Sequence, residues 1–138
     1  MRKRKKTATV LVAAKEDLLN NLNDALADTN FVLLHASTKR EAIVLLQRRR
    51  SEINLAIVEL ELPDFGGWDL IRRLTFRPRK SVKVIATTSA YPEQYFERIK
   101  EIGVDAVVPK AIPQEAWRQT VEAMLLKSEN GSEISTIS

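Results

Sequence analysis

Short apolar runs alternate along this chain with segments whose apolar residues recur every three or four positions. The runs are typical of buried strands, and the recurring spacing, as in Leu18, Leu22 and Ala25, is typical of amphipathic helices. The five runs are Val10–Ala14, Phe31–Leu34, Leu55–Leu60, Val82–Thr87 and Ala106–Val108. Because each run is followed by a helical segment, the pattern predicts an α/β fold with a parallel sheet and helices on both faces.

The order of these elements leaves few topologies, since crossovers between parallel strands are right-handed. We expect a flavodoxin-like, doubly wound sheet with five strands in the order 2-1-3-4-5. In that arrangement the functional cleft lies at the carboxyl ends of the first and third strands. Ala14 and Lys15 follow the first strand and Glu59 ends the third, so the pattern alone predicts that these three residues share one pocket.

Three local signals predict helix boundaries. Thr38 and Glu41 form a capping-box pair, which predicts a helix that begins there and continues to about Arg50. Gly103 suits the end of the fourth helix, and Pro113 suits the first position of the last helix.

The positive charge is concentrated at the amino-terminal end. Five of the 22 basic residues lie in the first eight positions, which leaves 17 basic against 18 acidic residues in the rest of the 138-residue chain. The net charge of +4 is therefore due to the five basic residues of the amino-terminal tail. We predict a basic disordered tail at residues 1–8, one folded domain at residues 9–126 and a polar disordered tail at residues 127–138.

The sequence contains neither cysteine nor a long apolar segment. Without cysteine it has no disulfide, no thiolate metal site and no cysteine nucleophile. No apolar stretch approaches the roughly 18 residues that a membrane span needs, and no signal-type segment follows the basic tail. We therefore expect a cytoplasmic protein with no membrane partner.

One segment carries a distinctive spacing of polar and turn residues. An apolar run ends in Glu59, with Pro63 four residues later and Gly67 eight residues later. Thr88 stands at the end of the fourth predicted strand, and Lys110 follows the fifth. In this order and at these spacings, nearly the whole chain resembles the receiver domains of two-component response regulators.

The resemblance implies roles that this chain fills only in part. In the family, the residue at the position of Glu59 is an aspartate that accepts a phosphoryl group. Two adjacent acidic residues usually stand where this chain has Ala14 and Lys15. The other equivalent positions, those of the two switch residues and of the family's lysine, are Thr88, Val107 and Lys110.

The chemistry of phosphoryl transfer explains why these departures belong together. Transfer to a carboxylate depends on Mg²⁺, and Mg²⁺ needs hard oxygen ligands. Ala14 offers no side-chain oxygen, and Lys15 places a cation where the metal would bind. With Glu59 facing both Lys15 and Lys110, the pocket would hold one more positive than negative charge without any metal. We predict no Mg²⁺ or other cofactor, no metal ligand, no catalytic residue and no phosphorylation.

The sequence therefore predicts a degenerate receiver, or pseudo-receiver, that works by protein–protein interaction in bacterial signal transduction and is not an enzyme. Its partner would be a histidine kinase or a downstream signalling protein. Two alternatives stay open: a working phosphoacceptor in a phosphorelay, and a nucleic-acid-associated module that uses the basic amino-terminal tail. Nucleic acid is the less favoured partner, because the chain has no helix-turn-helix motif.

Glu59 itself allows three interpretations. We favour an ion pair with Lys15 or Lys110 that holds the pocket shut. Glu59 could instead mimic a phosphorylated aspartate, or it could still be phosphorylated. Mimicry is disfavoured because Val107 lacks the aromatic ring whose movement reports the switch in the family.

Five further side chains have simpler expected roles. Glu61 is expected to be a loop carboxylate in solvent, and Thr88 to bond the backbone at a strand end. His35 is a lone histidine, so it predicts no metal site. Trp68 and Trp117 have helical spacing with their apolar neighbours, which predicts packing against the core.

We place any homodimer on the face formed by the fourth helix, the fifth strand and the fifth helix. That face carries both signs of charge, and a two-fold interface needs self-complementary charges. The charged residues of this face are Glu93, Glu97, Arg98, Lys100, Glu101, Asp105, Glu115, Arg118 and Glu122. The basic residues of the second and third helices are expected to form a solvated surface.

Overall fold

The computed structural model describes residues 8–76, 82–90 and 92–127. The strands are β1 (Thr9–Ala13), β2 (Val32–Ala36), β3 (Ile53–Glu59), β4 (Lys83–Thr88) and β5 (Ala106–Pro109). The helices are α1 (Glu16–Ala25), α2 (Lys39–Arg49), α3 (Gly66–Thr75), α4 (Pro92–Ile102) and α5 (Gln114–Lys127), with 3₁₀ turns at Arg50–Glu52 and Pro63–Phe65. Within these ranges the strands form one parallel sheet in the order β2-β1-β3-β4-β5, which confirms the predicted fold.

The sheet is covered on both faces, because alternate residues of each strand point to opposite sides. On β3, Leu55 and Ile57 pack with α1 and α5. Ala56 and Val58 point the other way and pack with α2, α3 and α4. The alternation continues to Glu59, whose side chain therefore lies on the α1/α5 side at the carboxyl end of the strand.

Helix α2 begins with the predicted cap, but only half of the capping box forms. Thr38 Oγ1 accepts a hydrogen bond from the Glu41 N–H at 3.1 Å. The Glu41 carboxylate does not return to Thr38; it accepts from the N–H of Ser37 at 2.7 Å and from its hydroxyl at 3.0 Å. These bonds, the backbone one first, hold the pKa of Glu41 below its usual range.

The two other boundary predictions differ in their outcome. Gly103 has a φ of 104°, a conformation that glycine adopts without strain, and it ends α4 as predicted. Helix α5 begins at Gln114, so the prediction that Pro113 is its first residue is wrong by one position. The Pro113 carbonyl accepts from the Trp117 N–H at 3.1 Å, which makes Pro113 the cap, where its missing N–H is equally harmless.

Both predicted tails lie outside the described residues, apart from residues 8 and 127, and so do the basic residues between positions 77 and 81. Among the helices that the structure describes, none is long and apolar enough to cross a membrane.

Gly67 allows α3 to approach the strand end that carries Glu59. A Cβ atom at Gly67 would lie 2.3 Å from the carbonyl oxygen of Glu59 and 2.7 Å from Cα of Leu60. Both atoms belong to the backbone, so no side chain can move aside to make room. A residue without a side chain is therefore required where the first turn of α3 crosses the end of β3.

A Cβ this close to fixed backbone should cost the upper part of the roughly 1–3 kcal/mol found for overpacked sites. Because alanine gains roughly 1 kcal/mol over glycine within a helix, we expect Gly67→Ala to lower the free energy of unfolding by about 2 kcal/mol. Urea denaturation measures the difference. Gly66→Ala is the matched control: its Cβ would have one contact under 3.0 Å, with Cβ of Lys39 at 2.9 Å, whereas a Cβ at Gly67 would have three, so the Gly66 variant should cost less. Equal stability of the Gly67→Ala and wild-type proteins would contradict the contact.

Candidate functional site

The carboxyl ends of β1 and β3 meet at one edge of the sheet, where Glu59 is fully buried. Glu59 Oε2 accepts a hydrogen bond from the Lys110 ammonium at 2.7 Å. Its Oε1 accepts one from the backbone N–H of Lys15 at 2.9 Å. Ala14, which precedes Lys15, is also fully buried. The structure thus brings together the four residues that the sequence assigned to one pocket.

Lys15 contributes its backbone and not its side chain, which corrects the prediction that its ammonium faces Glu59. The residue is exposed, and the structure records no ion pair between its ammonium and any described residue. Lys15 caps α1 in an extended conformation, with φ −70° and ψ 163°. This conformation turns its N–H to Glu59 while the side chain remains in solvent.

The position of Lys110 is set by its own backbone. Lys110 follows β5, and its N–H donates to the carbonyl oxygen of Thr88 at 2.9 Å. Its carbonyl oxygen accepts from Nε1 of Trp117, a fully buried residue of α5, at 3.3 Å. The ammonium therefore extends from a fixed point between β4 and α5 towards Glu59.

Asp17 is a member of the site that the sequence analysis did not assign to it. Its Oδ2 lies 3.2 Å from the Lys110 ammonium, and its Oδ1 accepts from the Leu18 N–H at 2.9 Å. The available signal was an acidic residue in the first turn of the helix that follows the pocket strand. Two carboxylates thus share one ammonium, which corrects the predicted excess of positive charge.

Both partners of the Lys110–Asp17 pair keep their charge at neutral pH. Burial alone would lower the pKa of Lys110, but its hydrogen bonds with Glu59 and Asp17 raise that pKa above its usual value. The hydrogen bond from Lys110 lowers the pKa of Asp17, although burial opposes it. The contribution of Asp17 is present above the usual aspartate pKa and is lost as the pH falls through the lowered value. It is small, because the Asp17 side chain is 70% exposed.

Glu61 binds Thr88, so the prediction of a solvated loop carboxylate is wrong. Glu61 is half-buried; its Oε2 accepts a hydrogen bond from the Thr88 hydroxyl, and its Oε1 accepts from the Ser89 N–H at 3.4 Å. Thr88 Oγ1 also accepts from the Ala90 N–H at 3.0 Å, so its predicted bond to the backbone is only part of its role. The loop after β3 turns Glu61 across to the end of β4, which strand periodicity did not indicate.

Thr87 is a buried polar residue beside the pocket. It pairs in register with Glu59 across β3 and β4, so the two side chains point to the same side of the sheet. Its hydroxyl has no hydrogen-bond partner among the described residues. Thr88 and Val107 point to the opposite side, where Val107 is buried in the core beneath α4.

The residues of the pocket do not fit a Mg²⁺ ion. Within the described part of the chain, no group of three or more histidine, cysteine, aspartate or glutamate side chains is placed to hold a metal ion. Both oxygens of Glu59 are bound to N–H donors, and Asp17 is paired with Lys110. Ala14 supplies no side-chain ligand. His35 lies nearby, but its Nε2 is 2.8 Å from the Ala14 carbonyl oxygen and donates to it.

Comparison with known proteins identifies a family for most of the chain. Residues 10–122 match the model of the family described as response regulator receiver domain. No curated protein matches the sequence.

Solved structures of the same fold come from several organisms. A response regulator receiver domain protein (CheY-like) from Methanospirillum hungatei JF-1 has a TM-score of 0.79 and 19% identity, covering 92% of this chain and 100% of that one. A response regulator from Thermotoga maritima has a TM-score of 0.76 and 20% identity, covering 88% and 99%. The phosphorylated cyanobacterial phytochrome response regulator RcpA has a TM-score of 0.75 and 15% identity, covering 89% and 96%. At these identities the likeness shows the fold.

We expect Lys110→Met to lower the free energy of unfolding by about 3–5 kcal/mol, because it leaves the buried Glu59 carboxylate without a cation. Urea denaturation at neutral pH measures the loss. Thr87→Val is the control from the same pocket: it replaces a hydroxyl that has no partner among the residues the structure describes, so its effect should stay within about 1 kcal/mol.

The double variant Lys110→Met with Glu59→Gln should recover at least half of that loss, since it removes both charges and keeps an acceptor for the Lys15 N–H. A loss in Lys110→Met no larger than that in Thr87→Val would show that the ion pair does not stabilise the pocket.

Proposed function

The chain belongs to the response regulator receiver domain family, and we propose that it acts in signal transduction as a protein-binding module that accepts no phosphoryl group. The proposal rests on the burial of Glu59 and on the partners of its two carboxylate oxygens. Glu59 is fully buried, with one oxygen bound to the Lys110 ammonium and the other to the Lys15 N–H. A phosphoryl donor would have to displace both partners and open a site that is closed to solvent.

The charges around Glu59 support independence from Mg²⁺. In phosphoryl transfer a metal ion neutralises the transferring oxygens and needs several oxygen ligands of its own. Here the Lys110 ammonium already lies 2.7 Å and 3.2 Å from oxygens of Glu59 and Asp17. A divalent cation would have to compete with a fixed ammonium for the same two carboxylates, without a side-chain ligand from Ala14.

The arrangement favours a closed pocket over mimicry of a phosphorylated aspartate. A mimic would act by attracting the hydroxyl at the position of Thr88 towards Glu59. That hydroxyl donates to Glu61 instead. Val107, at the second switch position, is a small buried residue with no ring to rearrange.

We expect acetyl phosphate with Mg²⁺ to leave both the wild-type protein and the Glu59→Asp variant unlabelled, as measured by intact mass. Glu59→Asp restores the family's nucleophile but not the metal ligands. The triple variant Ala14→Asp, Lys15→Asp, Glu59→Asp restores both and is the positive control, in which a phosphate adduct should form. An adduct on the wild-type protein or on the single variant would overturn the proposal.

We further propose that protein partners, including a second copy of the chain, bind the face formed by α4, β5 and α5. Two of the charged residues predicted for this face, Arg118 and Asp105, bind other parts of the chain. Arg118 Nη1 lies 3.2 Å from Asp28, in the turn after α1, and Asp105 Oδ2 accepts from the Val84 N–H at 2.8 Å. The exposed charged residues of α4 that support the proposal are Glu93, Glu97, Arg98, Lys100 and Glu101.

We expect a weak homodimer at low salt whose dissociation constant rises in about 0.5 M NaCl, because charge pairs between copies are screened. Sedimentation equilibrium measures the constant. Arg98→Glu should weaken the dimer by about fivefold, the effect of losing two symmetry-related exposed pairs of about 0.5 kcal/mol each. Arg40→Glu, an exposed arginine of α2, should leave the constant unchanged. A dimer that Arg40→Glu disrupts and Arg98→Glu does not would place the interface elsewhere.

A further inference from the structure

The carboxyl-terminal ends of α2 and α3 lie together at the edge of the sheet opposite Glu59. Both helices pack on the same face of the sheet, and each runs back from the carboxyl edge to the amino edge, since it connects two parallel strands. Between their last turns lies an open groove of about 610 Å³. The groove and the pocket of Glu59 are therefore at opposite ends of the molecule.

The groove has an apolar floor and an exposed aromatic side chain at its rim. Ile43, Leu46 and Leu74 line the floor, and Leu46 and Leu74 are buried. Phe76 follows α3 with 85% of its surface exposed. Apolar surface of this kind favours contact with other apolar groups over contact with water, so the rim offers an anchor for a partner's side chain.

The rim also carries three arginines that form no ion pair with the described residues around them. Other charged residues of these helices are paired: Arg49 lies 2.9 Å from Glu52 at the same end, and Lys39 lies 3.0 Å from Asp69 at the opposite end of α2 and α3. No ion pair with a described residue is recorded for the three groove arginines, Arg50, Arg72 and Arg73.

The dipoles of α2 and α3 offset only part of the positive charge of the three arginines. Each helix end carries about half a negative elementary charge, so two converging ends offset roughly one of the three positive charges. About two positive charges are left beside an apolar floor. This combination is complementary to a ligand that presents apolar side chains and carboxylates together.

We propose that the groove between α2 and α3 is a docking site for an acidic, amphipathic segment of another protein. Apolar side chains of that segment would enter against Leu46, Leu74 and Phe76. Its carboxylates would meet the guanidinium groups of the rim, which are suited to paired hydrogen bonds with carboxylate oxygens.

Nucleic acid and a second copy of the chain are less complementary to the groove than an acidic amphipathic segment. A nucleic-acid backbone would contact the arginines through its phosphates and leave the aliphatic floor without a partner. A second copy that docked the same groove would bring arginines against arginines, which repel. An acidic amphipathic peptide is the occupant that satisfies both the floor and the rim.

The test begins with random peptides of about 12 residues displayed on phage and selected on the wild-type protein, with counter-selection on the Arg72→Gln, Arg73→Gln double variant. The strongest binder is then synthesised with a fluorescein label, and its affinity is measured by fluorescence anisotropy. We expect the selected sequences to combine aspartate or glutamate with aromatic or aliphatic residues.

The affinity of the synthesised peptide should fall at least tenfold in the Arg72→Gln, Arg73→Gln protein and at least tenfold in Phe76→Ala. It should also fall when the peptide's carboxylates are replaced by amides. The matched controls are Arg40→Gln and Arg48→Gln, exposed arginines of α2 outside the groove, which should bind within twofold of the wild type. Circular dichroism and thermal unfolding check that each variant is folded.

Amide chemical shifts of the wild-type protein, recorded with and without the peptide, give a second measurement that needs no variant. The residues around Leu46 and Leu74 should shift and those around Glu59 should not. The proposal is overturned if no sequence is enriched, if the enriched sequences lack acidic residues, or if shifts fall outside the groove. It is also overturned if the groove variants abolish binding of a 20-base-pair DNA duplex or self-association and leave peptide binding intact.

Discussion

The buried carboxylate of Glu59 is the constraint on which the carboxyl edge of the sheet depends. A charge removed from water costs several kcal/mol unless an opposite charge and hydrogen bonds compensate it. Lys110 and the Lys15 N–H satisfy both oxygens, and the same ammonium reaches Asp17 in the first turn of α1. The last residue of β3 and the segments that follow β1 and β5 therefore meet at one cation. The buried carboxylate is thus paired with a cation of the chain itself.

Glu59 and Glu61 bind different partners at the carboxyl edge of the sheet. Thr87 and Thr88 are neighbours on β4, so their side chains point to opposite sides. Thr87 lies beside Glu59, whereas Thr88 donates its hydroxyl to Glu61. Because Glu61 supplies the partner of Thr88, the hydroxyl at the switch position is satisfied without the residue at the phosphoacceptor position. The Lys110 ammonium and the Thr88 hydroxyl therefore bind different carboxylates.

The two ends of the molecule differ in how their charged groups are paired. At the carboxyl edge, ion pairs and hydrogen bonds use both oxygens of the buried acid. At the amino edge, the ends of α2 and α3 leave arginines beside an apolar groove and the exposed ring of Phe76. Uncompensated surface is where binding gains the most free energy, since contacts made there replace contacts with water. Recognition is thus expected away from the closed pocket.

The sequence by itself determined the elements, their parallel order and the meeting of Lys15 with Glu59. Periods of two and 3.6 residues encode which side of an element a residue occupies, and parallel strands end at a common edge. Only the tertiary structure decided that Lys15 acts through its N–H, that Asp17 joins Lys110, and that Glu61 crosses to β4. Long polar side chains have several rotamers, and the choice depends on partners distant in sequence, which no local pattern specifies.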